Sequence, residues 1–469
     1  MIRNRALVVF VLALALAAPA AWTPAHAQDT GQADFSHFVA LGDSLGAGFT
    51  SGGLVEGAQK NSVPALLVRQ ATGQEIEQPL VSAPGIPALL QLQGISPLRI
   101  VPLPGSGHPL NAMLARPYDN LSVPGFRLGD ALRNRERGPS DAATLVLRTP
   151  NTQLEQALAL QPTFAMIWLG NNDVLAAATS GRVIEGVTLT PVAQFEADYT
   201  ALVAALQGAG AKLVLANLPD VTSIPFVTTL PPVLVDPATN QPVLGPGGAP
   251  IPLLGPGGQP LSPNDHVLLT ASTPLSQGIG IPAFAGGTGQ GLGDQYVLSS
   301  GEAAAIQARV DTLNAFIRNL AQSTGSALAD INGLLKTGST IGFNLGGVDI
   351  TSAFVTGGAI GLDGVHPRPL GYAIAANEFI RAINQTYDAH IPQVDLYPFL
   401  FDSDATAIPS IPNTLTSSVL FSRAAGRQLL DSLRVWKGTA SGPSGPDGGN
   451  HGPGGNAPRH HGPVGRTHQ

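Results

Sequence analysis

The chain has 469 residues, a formal charge of −7 and no cysteine. That length allows a large buried core. The missing cysteine excludes a disulfide framework, a thiolate metal site, a cysteine nucleophile and a lipoprotein anchor. Charged residues make up 12% and hydrophobic residues 43%. No basic run is long enough to follow a phosphate backbone, so nucleic acid is not an expected partner.

Residues 1–27 read as a secretory signal peptide. Arg3 and Arg5 form the basic end, Ala6 to Ala18 is apolar, and Ala25-His26-Ala27 is a small-x-small cleavage pattern. No later stretch is long, apolar and unbroken by Gly or Pro. The expectation is a soluble exported protein, periplasmic or secreted, with no stable membrane span.

The first strand is predicted at Phe38-Val39-Ala40-Leu41, ending at Gly42. A second apolar run, Phe164 to Leu169, also stops at a glycine. A helix from Val192 to Leu206 precedes a third strand, Lys212 to Ala216. Another helix, Ser300 to Ala321, precedes the short run Ala327-Leu328-Ala329. A last helix is expected from Pro369 to Thr386. Apolar runs alternating with helices imply an α/β fold with a mainly parallel sheet covered on both faces.

From about 221 to 293 this alternation breaks. The near-repeat Leu244-Gly-Pro-Gly-Gly-Ala-Pro-Ile251 and Leu254-Gly-Pro-Gly-Gly-Gln-Pro-Leu261 reads as two Gly-rich turns. The segment is expected to be a Pro/Gly-rich insertion that lines an acyl pocket. Residues 28–397 then form the main domain and 398–437 a C-terminal extension with a helix from Ser417 to Lys437. Residues 438–469, rich in Gly, Pro and His, cannot bury a core and form a disordered tail.

Four short stretches carry chemistry. Gly42-Asp43-Ser44-Leu45-Gly46 follows the first strand and matches G-x-S-x-G, which exposes a serine at a strand-to-helix turn. In Asp363-Gly364-Val365-His366-Pro367 one turn brings the carboxylate back to imidazole Nδ1, leaving Nε2 free as a base. Gly170-Asn171-Asn172-Asp173 lies at the carboxyl end of a buried strand, where ligands bind in α/β sheets. Asn120-Leu121-Ser122-Val123-Pro124-Gly125 ends in a turn suited to exposing a backbone N–H. Singly, each is also compatible with an ordinary turn or cap.

Together, in this order, they resemble the SGNH, or GDSL-type, serine hydrolase family. The resemblance runs from about Phe38 to Tyr387. It implies a three-layer α/β/α fold and a catalytic triad of Ser44, His366 and Asp363. It also implies an oxyanion hole from the Ser44 N–H, the Gly125 N–H and the Asn172 side chain. The α/β-hydrolase fold shares the elbow but places several strands before its nucleophile, and too few residues precede Ser44 here. The implied activity is that of an exported serine esterase or lipase acting on small-acyl or lipid-like esters, with no cofactor and no metal. A carbohydrate O-deacetylase of the same family, and a non-catalytic surface protein that retains the fold, are the alternatives.

Overall fold

Four of the apolar runs pair into the central sheet of the computed structural model, which describes residues 29–95, 98–138, 142–400 and 419–434. The leader 1–27 and the tail 438–469 lie outside the described residues. The strands are β1 (Phe38–Gly42), β2 (Phe164–Trp168), β3 (Lys212–Ala216) and β4 (Ala327–Ala329), all parallel and adjacent in that order. Residues 119–123 lie along the other edge of β1: Ala40 N–H donates to Asp119 O at 2.8 Å and Leu121 N–H to Ala40 O at 2.9 Å.

Strand alternation splits the apolar side chains between two layers. Val39, Leu41, Ala165, Ile167, Leu213 and Leu215 enter one core, with α3 (Val192–Gly208) and α4 (Ser300–Thr324) packed over it. Phe38, Ala40, Phe164, Met166, Trp168 and Val214 enter the other, beneath α1 (Val63–Thr72) and α6 (Pro369–Tyr387). The remaining elements near the site are α2 (Asn172–Ser180), α5 (Ile331–Thr340) and the hairpin of β5 (Phe343–Leu345) and β6 (Val348–Ile350). The expected three layers are therefore present.

The chain steps from β1 to the edge at 119–123, then returns across β1 to β2 and onward. Right-handed crossovers in opposite directions put α1 on one face and α3 and α4 on the other. The order reverses at β1. The crevice at such a reversal, beyond the strands' carboxyl ends, is where open α/β sheets bind ligands. Ser44 follows β1 after the single residue Asp43.

Local signals set the helix ends. Ser299 and Glu302 form a capping box that starts α4, and Gly325 at φ 65° closes it. The helix expected from Ser417 to Lys437 is different in structure. Val419–Phe421 is a strand parallel to Leu98–Pro102, which pairs in turn with Leu90–Ile95. Among the described residues of that stretch, Arg423–Arg434 is helical. The apolar triplet Val419-Leu420-Phe421 gains a strand partner some 320 residues away, which overrides local helical periodicity.

In the Pro/Gly-rich segment the two repeats form successive turns. Leu244 bridges Pro250 and Leu254 bridges Pro260. Leu254 N–H donates to Gly280 O and Leu292 N–H to Leu254 O, each at 2.8 Å. Ile251, Leu253 and Leu261 are buried in the core.

Candidate active site

Ser44 opens a one-turn helix, Ser44–Ala47, and is buried to 6% exposure. Asp43 caps that turn, its carboxylate accepting from Leu45 N–H at 3.0 Å. The Ser44 hydroxyl lies 2.9 Å from His366 Nε2. His366 Nδ1 lies 2.9 Å from Asp363 Oδ2. With Asp363 ionised, Nδ1 carries the ring proton and Nε2 accepts from the serine hydroxyl.

The Asp363–His366 turn is fixed at both ends. Asp363 Oδ1 accepts from the backbone N–H groups of Val365 and His366, each at 2.9 Å. Oδ2 accepts from Gly52 N–H at 2.8 Å as well as from the imidazole. Gly364 stands at φ 72°, where a Cβ would meet the backbone of Phe226 at 3.0 Å, so this turn demands glycine. Burial alone would raise the pKa of Asp363, but the His366 ring and the converging N–H groups hold it below the ordinary carboxylate value. Phe49 packs on the imidazole with ring centroids 4.6 Å apart, and its carbonyl accepts from Tyr372 Oη.

Asn172 is the first residue of α2, at the carboxyl end of β2. Its Nδ2 donates to Phe126 O at 3.0 Å, which draws the side chain to the loop containing Gly125. Gly125 has φ 73°, the left-handed conformation that a turn after Pro124 requires. Val123 N–H donates to Gly42 O at 3.0 Å, setting this loop against the strand end that leads to Ser44. The structure thus brings Ser44, His366 and Asp363 into one hydrogen-bonded line and joins the Gly125 loop to Asn172 beside the same strand ends.

Two buried carboxylates complete the surroundings. Asp43 accepts from Asn171 Nδ2 at 2.8 Å, and burial pushes its pKa up to about 7 against the opposing pull of Asn171, the Leu45 N–H and His366. Asp173 accepts from Leu128 N–H at 2.9 Å, and burial raises it to about 6. Asp43 and Asn171 lay inside quoted motifs, but nothing in the sequence assigned them to each other. The Gly52 N–H that reaches Asp363 across 311 residues had no sequence signal.

An apolar cavity of about 100 Å³ lies beside these turns, lined by Leu45, Val365 and Pro367 among others. From the Pro/Gly-rich segment it takes Ile224 and none of residues 242–260. Among the described residues no group of three or more His, Asp and Glu is placed to hold a metal ion, and no helix is long and apolar enough to cross a membrane.

A sheet whose order reverses at β1, with a buried Ser–His–Asp line at that point, defines a hydrolase-type α/β protein. Residues 38–379 match the sequence model of the GDSL-like Lipase/Acylhydrolase family, and the chain belongs to that family. It is therefore a hydrolase of the esterase and lipase type. No curated protein matches the chain. Solved structures similar to it include an extracellular lipase from Streptomyces rimosus, 15% identical with a TM-score of 0.32. Others are phospholipase A1 from Streptomyces albidoflavus NA297 (14%, TM-score 0.30) and TesA (12%, TM-score 0.29). Each comparison covers 74% of this chain and 98% of the other.

Proposed function

We propose that this protein is an exported serine esterase working through an acyl-enzyme. The observation that carries this is the hydrogen-bonded line from Ser44 Oγ through His366 to Asp363, 2.9 Å at each step. Ser44 Oγ bonds to the ester carbonyl carbon as its proton passes to His366 Nε2. Asp363 orients the imidazole and stabilises the imidazolium that forms. The Ser44 and Gly125 N–H groups and the Asn172 amide stabilise the negative oxygen of the tetrahedral intermediate. His366 then gives its proton to the alcohol oxygen, the C–O bond breaks, and alcohol leaves. Water, deprotonated by His366, attacks the acyl-enzyme; the imidazolium returns that proton to Ser44 Oγ as the C–Oγ bond breaks and the acid leaves. These steps balance without a cofactor or metal.

An esterase screen of the full chain tests this, together with labelling by a serine-directed phosphonate. Turnover of simple carboxylic esters and a single adduct on Ser44, both lost in Ser44→Ala, are the expected results. Turnover that survives in Ser44→Ala would overturn the assignment. Selective activity on acetylated polysaccharide with none on simple esters would favour the O-deacetylase alternative. Export rests on the basic, apolar and small-x-small order of residues 1–27. The exported protein is expected to begin at Gln28; an intact Met1 terminus on that protein would refute cleavage.

A further inference from the structure

The cavity lies beside the turns that carry Ser44 and His366, neither of which is among its lining residues. Leu45 directly follows Ser44, and Val365 and Pro367 flank His366, so the turns that hold the hydrogen-bonded pair also form one wall. Helix α5 and the strand that follows it line the cavity too, through Leu334, Leu335, Gly338 and Phe343. Ile360 and Ile374 also line it. Among the described residues no charged side chain lines the space, and Trp168 and Ser352 supply the only polar side-chain atoms. The Trp168 indole N–H is buried there without a hydrogen-bond partner.

Helix α5 is pinned to the sheet. Asp330 caps α5 by accepting from Gly333 N–H at 2.9 Å and also accepts from Asn217 Nδ2 at 2.7 Å. Asn332 N–H donates to Asn217 Oδ1 at 2.8 Å. Asn217 stands at the end of β3, so the sheet's carboxyl edge fixes where α5 begins.

We propose that this cavity receives the acyl group of the ester, and that its size makes short acyl chains, near butyryl, the preferred substrates. The proposal rests on Ser44 being the nucleophile. A carbon-lined space of this kind gains by taking up hydrocarbon rather than water. An engineered apolar cavity of about 150 Å³ holds benzene. The 100 Å³ here suits a group smaller than that, about three or four carbons. The acyl half is the one that stays bonded to Ser44 through both chemical steps. The alcohol must meet His366 Nε2, take its proton and leave after the first step. A fixed pocket adjoining Leu45 serves the half that stays.

Gly338 gives a clean way to fill the space. A Cβ there would stand 3.4 Å from the Phe343 ring edge, an ordinary contact, and the residue has no positive φ. The experiment measures kcat/KM of the full chain on p-nitrophenyl esters from acetate to octanoate, with a parallel series of alkyl acetates. Wild type is expected to peak near butyrate. Gly338→Leu is expected to lose about 10-fold or more on butyrate relative to acetate, the scale of a misfitted methylene in an apolar pocket. Leu335→Ala should move the maximum to a longer acyl chain, which provides the test even if Gly338→Leu folds poorly.

Equal scaling of every ester in both Gly338→Leu and Leu335→Ala would overturn the proposal while leaving the serine mechanism intact. So would an unchanged acyl profile accompanied by a shifted alcohol profile, which would assign the cavity to the leaving group. Full activity in Ser44→Ala would remove both the mechanism and the proposal built on it.

Discussion

The turns around Ser44 and His366 and the Pro/Gly-rich segment at 230–293 both contain little regular structure, yet they are held in opposite ways. In the first, polar side chains are buried and bonded to one another or to specific N–H groups: Asp43, Ser44, Asp363 and His366 are all at most 6% exposed. In the second, the bonds run between backbone groups, as in Leu234 N–H to Ile251 O and Gly255 N–H to Gln259 O. Its buried side chains are mostly aliphatic, with Thr270 and Ser272 as polar exceptions. Irregular backbone can thus be fixed by the identity of a few polar side chains or by a ladder indifferent to most of them. The first arrangement puts chemistry at risk on substitution, and the second puts mainly packing at risk.

The largest effects should therefore come from the buried polar line. Ser44→Ala and His366→Ala are each expected to lower kcat by about 10⁴-fold or more with the far-UV circular dichroism unchanged. The double variant should be little worse than either single one, because these groups act as a unit. Asp363→Asn should cost on the order of 10⁴-fold in kcat and also lower the melting temperature. Asp363 accepts from four donors, two at each oxygen, and an amide NH₂ in place of either oxygen would face two of them. Multiplying losses in the Ser44/His366 double variant would show that the two residues do not share one step.

Asn172→Ala follows, with an expected loss of about 2.7–4 kcal/mol of transition-state stabilisation, mainly in kcat. Its tie to Phe126 O orders the Gly125 loop, so part of that loss is positional. A change confined to KM would assign Asn172 to substrate binding instead.

The buried carboxylates set a pH dependence of stability. Asp43, at about 7 in the folded chain against 3.8 for an ordinary aspartate, keeps a proton that the unfolded chain has lost across that interval. Stability from this source is complete below about pH 4 and declines as pH rises toward 7. Asp173, at about 6, acts in the same direction. Asp363, held below its ordinary value, acts oppositely: its contribution is present above the ordinary value and is lost as pH falls through its folded value. Thermal melts from pH 5 to 8 should show a falling midpoint that Asp43→Asn flattens. An equal slope in that variant would place the titration elsewhere.

The same contrast explains what the sequence disclosed. The chemistry-bearing stretches are local: a strand running into Gly42-Asp43-Ser44, and an Asp three residues before a His. The parallel sheet was legible in Phe38–Leu41, Phe164–Leu169 and Lys212–Ala216, because strands covered on both faces read as continuous apolar runs. What remained hidden depended on distance. The Gly52 N–H bond to Asp363 involves a backbone group that any residue but proline carries. The pairing of Val419–Phe421 with Leu98–Ile100 joins distant parts of the chain, and its local pattern read as helix. Ile331, Leu334 and Leu335 look like any amphipathic helix until the sheet places them beside Leu45.

The smallest effect should come from the tip of the Pro/Gly-rich segment. Its first turn spans Gly245 to Ala249, closed by Gly245 N–H donating to Ala249 O at 2.8 Å. Leu244, at its base, is 60% exposed. Leu244→Ser should change stability by no more than about 0.5 kcal/mol, as for other exposed positions without special contacts. Replacing Gly245–Ala249 by a two-residue Asn-Gly turn should keep the ladder, since such turns fit a hairpin's twist. The core residues Ile251, Leu253 and Leu261 lie outside the replaced stretch. The cavity beside Ser44 takes no wall from residues 242–260, so the ratio of kcat/KM for acetate and butyrate should also stay constant. A ratio changed by several fold would mean that this turn reaches the substrate, and the division between a side-chain-specified site and a backbone-held periphery would fail there.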